Sequence, residues 1–210
     1  MTRVPSCPQS ILRRRLRSRR SWLSVSLARL ALILAACGCF AAPALAQQPK
    51  AEEYQVKAVY LFNFGRFTEW PPSAKTGNTF AICVLGRDPF GPTLDATLAR
   101  ETIDNVKVTA KRIASTRDAA GCRILFIGSS ESVRIKEILP SLEKSNVLTV
   151  SDMPSFVNSG GMIQFVLKEN KVRFAVNLTA AEKAGLTLSS QLLKVATDIK
   201  KEPSGADVKQ

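Results

Sequence analysis

The chain of 210 residues contains no histidine. That removes the commonest general base and the commonest zinc ligand. No Ser-His-Asp or Cys-His arrangement is possible. Carboxylate and lysine chemistry stay open, but no carboxylate pair recurs at one-face spacing within the apolar segments. No GxGxxG or GxxxxGK[ST] motif occurs, so LGRDPFG (residues 85–91) reads as a turn closed by Asp, Pro and Gly rather than a phosphate loop. The expectation is a non-enzymatic domain with no cofactor and no metal.

Cysteine is the other reactive residue. Cys7, Cys37 and Cys39 precede Ala46, and Cys83 and Cys122 follow it. Cys83 lies in the strand-like run FAICVLG and Cys122 opens CRILFIG. An even pair in an oxidising compartment suggests a disulfide, if those strands are neighbours. Closing that loop would add up to about 4 kcal/mol by chain entropy. The alternative is two buried reduced thiols, each a small hydrophobe.

Four further side chains are candidates for a ligand or partner surface. Arg66 and Trp70 end the aromatic stretch YQVKAVYLFNFGRFTEWPP (54–72) and either close the core or shape a surface. Arg173 and Asn177 share one face of an alternating strand and form either a polar floor or solvent-facing positions. NSGG (158–161) reads as a tight turn, with an anion nest as the alternative.

The net charge is +13, yet eight of the 30 basic residues and none of the 17 acidic ones fall in residues 1–46. The remainder carries only +5, with no basic stripe, which argues against nucleic acid. The N-terminus has the three parts of a secretory signal. These are an arginine-rich region, the apolar run LALILAACGCF (30–40), and AAPALA with Ala44 and Ala46 in the small-residue positions. The run is shorter than the roughly 20 residues of a stable span. LAAC, ending at Cys37, is similar to a lipoprotein box. It leaves a thin apolar run, so soluble export to the periplasm with cleavage near Ala46 is favoured. SRRSWL (18–23) is similar to a twin-arginine motif, which leaves both export routes open.

The elements that must position these residues follow from periodicity. A polar lead-in covers 47–53, one domain covers 54–200, and a loose tail covers 201–210. Residues 54 to about 68 are apolar at 56, 59, 60, 64 and 67, a helical period covering most of the circumference. That predicts a helix buried on more than one side, with Glu53 and Lys57 paired at i, i+4. TFAICVLG, RILFIG and NVLTV are fully apolar strands, and NVKVTAKRI alternates. GMIQFVLKENKVRFAVNL predicts a hairpin turning near Glu169-Asn170. TAAE (179–182) suggests a capping box with Thr179 as N-cap. A last helix from Ser190 would carry Leu192, Val195, Ala196 and Ile199 on one face. The order implies an α/β three-layer sandwich. Its central sheet is mixed but mostly parallel, with an antiparallel edge hairpin and helices on both faces.

The aromatic stretch with Lys57-Ala58 and Glu69-Trp70-Pro71, the segment VLTVSDMPSFVNSGGMIQFVLKENKVRFAVNL and the closing LTLSSQLLKVA together closely resemble the YfiR-like periplasmic family, over about 54 to 197. The resemblance implies a periplasmic repressor that binds the sensor domain of an inner-membrane diguanylate cyclase, lowering cyclic di-GMP and biofilm formation. It implies a disulfide-forming pair at Cys83 and Cys122. Some members carry a second pair near the loop before the hairpin, where this chain has Asp152, Met153, Ser155 and Asn158. A homodimer and a small-molecule ligand are further expected partners. The alternative function is a periplasmic small-molecule sensing domain acting on another receptor.

Overall fold

The computed structural model describes residues 48–74, 78–143 and 145–201. The expected signal segment, 1–46, and most of the tail lie outside the described residues. Helix α1 spans Gln48–Arg66, so the expected lead-in at 48–53 forms its first turns. It packs Ala58, Leu61 and Phe64, all fully buried, onto one face of the sheet, while Val56 and Val59 stay 44% and 46% exposed. The helix is therefore buried on one side only. The aromatic residues that crowd its sequence are taken up by a single broad contact, in which Tyr60 and Phe64 meet Phe165 and Phe174 at ring distances of 5.0–6.0 Å.

The strands are β1 (Thr68–Glu69), β2 (Thr79–Leu85), β3 (Thr102–Ile103), β4 (Val106–Ile113), β5 (Cys122–Ile127), β6 (Leu148–Ser151), β7 (Ile163–Lys168), β8 (Lys171–Asn177), β9 (Thr187–Leu188) and β10 (Asp198–Lys200). Eight of them form one sheet in the order β10-β8-β7-β6-β5-β2-β4-β3. Strands β4, β2, β5, β6 and β7 run parallel, β7 and β8 form the antiparallel hairpin, and β1 pairs with β9 apart from the sheet. The fold is thus an α/β three-layer sandwich with a mixed, mostly parallel sheet, and β10 adds a short strand outside the hairpin.

Fully apolar strands need cover on both faces. On the first face α1, α2 (Pro92–Leu98), α4 (Leu178–Lys183) and α5 (Ser190–Val195) enclose Phe80, Ile82, Val84, Ile124, Phe126, Val150, Phe165 and Phe174. On the second face α3 (Ile135–Leu142), the 3-10 segment Thr116–Gly121 and the loop carrying Met153 and Phe156 enclose Ala81, Cys83, Leu85, Leu125 and Ile127. The hairpin turns at Glu169-Asn170, both with positive φ (52° and 57°), the geometry of a two-residue type I′ turn.

Two local expectations are corrected. The N-cap of α4 is Asn177, whose side chain accepts from the Ala180 amide, and not Thr179. The final helix stops at Val195, because Ala196 is extended and Thr197 donates through both its amide and its hydroxyl to Phe174 O. This draws residues 198–200 alongside β8, so Ile199 stands on a strand and Val195 is 60% exposed.

Candidate functional site

Helix α1 runs against the parallel strands, so its N-terminal turns overlie the carboxyl ends of the sheet, where open α/β sheets bind ligands. There the chain concentrates charge. Lys57, only 3% exposed, donates to Asp152 Oδ2 at 2.7 Å and pairs with Glu53 one turn back at 2.5 Å. Tyr54 donates its hydroxyl to the same Asp152 oxygen at 2.8 Å. The ammonium also lies 4.3 Å from the Tyr54 ring centroid and 5.8 Å from that of Phe165. Burial, then the hydrogen bond and charge of Asp152, then the charge of Glu53, push the Tyr54 phenol well above its ordinary pKa of 10.0. The Tyr54 ring meets Phe90 edge-on at 5.4 Å, which ties α1 to the turn after β2.

This cluster walls a hollow of about 320 Å³, completed by Pro154, Gln164, Phe165, Val166 and Leu167. Two acidic groups against one ammonium leave it one negative charge in excess. Farther across the sheet, on β4, Arg112 donates to Asp88 at 2.8 Å and meets Asp95 at 2.6 Å. Desolvation opposes the Arg112 charge, but the two carboxylates outweigh it and raise its pKa.

A larger cavity of about 640 Å³ lies on the second face, where α3 ends before the hairpin begins. Leu139, Leu142 and Met162 give it an apolar side, and Thr149, Asn158, Asn177, Lys183 and Lys200 a polar one. Its size is that of ordinary ligand pockets. The NSGG turn contributes Asn158, Ser159 and Gly160 to the wall. However, the amides of residues 159, 160 and 161 donate to Ser155, Phe156 and Val157 carbonyls inside the loop. A ring of free amides for an anion is therefore absent at those three positions.

Cys83 and Cys122 are joined in a disulfide, with Cα atoms 5.8 Å apart. Arg123 is the extra residue of a bulge: Ala81 faces Cys122 and Ile82 faces Ile124. The bulge sets Cys122 on the same face as Cys83. The four predicted surface residues are not gathered. Arg66 is exposed at the end of α1, its guanidinium 5.8 Å from the Phe62 ring centroid. Trp70 is 8% exposed and packs edge-on against Phe80 at 5.3 Å. It lines an 80 Å³ hollow with Arg123, and Trp70 Nε1 and Arg123 Nη1 find no partner among the described residues. Arg173 is half-buried opposite Val166. Asn177, 5% exposed, caps α4 and donates to Val157 O, and it alone of the four lines the large cavity. Among the described residues no group of three or more His, Cys, Asp and Glu side chains is placed to hold a metal ion.

The Glu53–Lys57 spacing announced one ion pair. Asp152 and Tyr54 were not legible as its partners, since 95 residues separate Asp152 from Lys57. The available hint was a lysine set among the apolar residues of a helix.

Two solved structures are similar at low level. The ABC domain in complex with L-Trp from Streptococcus pneumonia has 14% identity and a TM-score of 0.47, over 70% of this chain and 60% of that one. A conserved domain protein from Vibrio cholerae has 14% identity and a TM-score of 0.45, over 59% and 55%. The chain thus spans little more than half the length of either. No curated protein matches. The family model described as YfiR/HmsC-like matches residues 54–197. That span takes in α1 from Tyr54, every strand from β1 to β9, and the disulfide. The chain belongs to the YfiR/HmsC-like family.

Proposed function

We propose that this protein is a non-enzymatic periplasmic regulator. It binds the periplasmic sensor domain of an inner-membrane diguanylate cyclase and holds the cyclase off, lowering cyclic di-GMP and biofilm formation. The observation that carries this reading is the family match across nearly the whole domain. The export-type N-terminus and the Cys83–Cys122 bridge, which belongs to oxidising compartments, support the location. Among the described residues no helix is long and apolar enough to cross a membrane. Deleting the gene should raise cyclic di-GMP. An unchanged level under several envelope stresses would sink the reading.

A second reading, a sensing domain for a small molecule, is favoured by the 640 Å³ cavity against Asn177. A thermal-shift screen of small periplasmic metabolites should then raise the melting midpoint for at least one of them, and the shift should vanish in Thr149→Val. No shift with any compound would remove this reading.

A further inference from the structure

Strand β6 leaves the sheet early. It pairs with β7 only at Val150–Ile163 and Ser151–Gln164, and the chain then turns away at Asp152. Strand β7 continues for four more residues, Phe165 to Lys168. On its other side it stays paired with β8 throughout. Strand β5 ends at the same level, its last residue Ile127 facing Ser151, so the β7–β8 hairpin projects past the rest of the sheet with its β7 edge uncovered by a strand.

The hairpin turn decides which backbone groups face that open edge. A two-residue turn makes Lys168 and Lys171 a hydrogen-bonded pair. Alternation then makes Val166–Arg173 and Gln164–Ala175 hydrogen-bonded pairs as well. Phe165 and Leu167 fall between them, so their N–H and C=O groups point away from β8, toward the β6 side. The parallel register Ser151–Gln164 already uses the Phe165 N–H, which donates to the Ser151 carbonyl, so the Phe165 carbonyl and the Leu167 amide and carbonyl are the groups left without a partner among the described residues. The Leu167 side chain is also 59% exposed. The hollow beside this edge is the one walled by Glu53, Lys57 and Asp152.

We propose that the open edge of β7 at Phe165–Leu167 receives an extended segment of a partner protein, added as a strand, with a lysine or arginine of that segment seated against Glu53 and Asp152. Three unpaired backbone groups along one edge favour a strand, because a helix has already used its own. The excess negative charge selects a cation. The hollow of about 320 Å³ has room for one long side chain. This proposal names a binding mode for the partner reading above and rests on it.

The test uses the full chain in its own host, with the photocrosslinker benzoylphenylalanine at Leu167 and, as control, at Val133, which is 93% exposed in the segment Ser129–Arg134. The expected result is an adduct at Leu167 and none at Val133. Mass spectrometry should then place the crosslink in a partner segment carrying Lys or Arg. Leu167→Pro removes one outward N–H that the fold does not use, and proline is tolerated on an edge. It should keep its melting midpoint yet weaken binding about tenfold or more, as loss of an edge bond and its neighbours implies. Glu53→Lys should weaken binding similarly. No adduct, an adduct with a second copy, a crosslinked segment without a cation, or a Leu167→Pro variant that binds like the parent would each overturn the proposal. If gene deletion raises cyclic di-GMP while Leu167→Pro still represses, the edge proposal fails and the cyclase reading stands. If deletion leaves cyclic di-GMP unchanged but the adduct forms with a different protein, the reverse holds.

Discussion

Lys57 is a charged residue on the buried side of an otherwise apolar helix, and two carboxylates and two rings meet it there. Removing one member of such a set leaves the others desolvated and unpaired, which costs more than the set contributes. Lys57→Ala should therefore destabilise the fold by about 2–3 kcal/mol, below the roughly 3–5 kcal/mol of a fully buried pair because Glu53 and Asp152 keep 22% and 14% of their side-chain exposure. Urea titration checks this. Tyr54 gives a pH signature. Its folded pKa is raised by burial, then by the hydrogen bond and charge of Asp152, then by Glu53. A raised pKa means that the folded state holds the proton more tightly than the unfolded chain. The contribution is then complete below pH of about 10 and is lost as the pH climbs above it. Stability should fall in that alkaline range, and Tyr54→Phe should flatten the fall while costing about 1 kcal/mol at neutral pH. Denaturant midpoints measured across the range would show both effects.

At the scale of elements, the strand runs were legible because continuous apolar stretches and clean alternation are direct imprints of burial on two faces or one. The hairpin and its turn at Glu169-Asn170 were read from the same pattern, and the disulfide from the even cysteine count. The short pieces were not legible. Strands β1, β3 and β9 have two residues each, and their pairing comes from tertiary contact rather than propensity. Ile199 fitted a helical stripe with Leu192 and Val195, yet two bonds from Thr197 to Phe174 O override that period. Asn177 sat at an outward position by alternation, but the loop after β6 crosses over it and buries it. The cation-seating cluster was half visible, since Glu53 and Lys57 are local and Asp152 is not. The bridge between β2 and β5 also makes a prediction at this scale. Cys122→Ser should lower stability by about 2–4 kcal/mol, measured as a shift in denaturant midpoint.

Taken as a whole, the domain is unequal front to back. The first face is closed by four helices around a continuous aromatic core, while the second is roofed by α3 and a loop over the β2–β5–β6 part and opens into a cavity toward the hairpin. Tight contacts hold the loop that crosses it. A methyl group on Gly161 would lie 2.2 Å from the Phe156 ring, so Gly161→Ala should force that ring aside. The expected outcome is a loss of about 1–3 kcal/mol, with amide exchange faster in residues 152–161 than in β2 or β5. The disulfide lies on this same second face, with Cys83 wholly buried and Cys122 5% exposed. A dissolved reductant cannot touch either sulfur until that layer lifts. At low reductant, the speed of thiol release therefore counts how often the layer is open, and at high reductant it saturates at the speed of opening itself. The bridge is thus a built-in clock for breathing of the domain, readable by maleimide capture of the released thiols with no engineered cysteine.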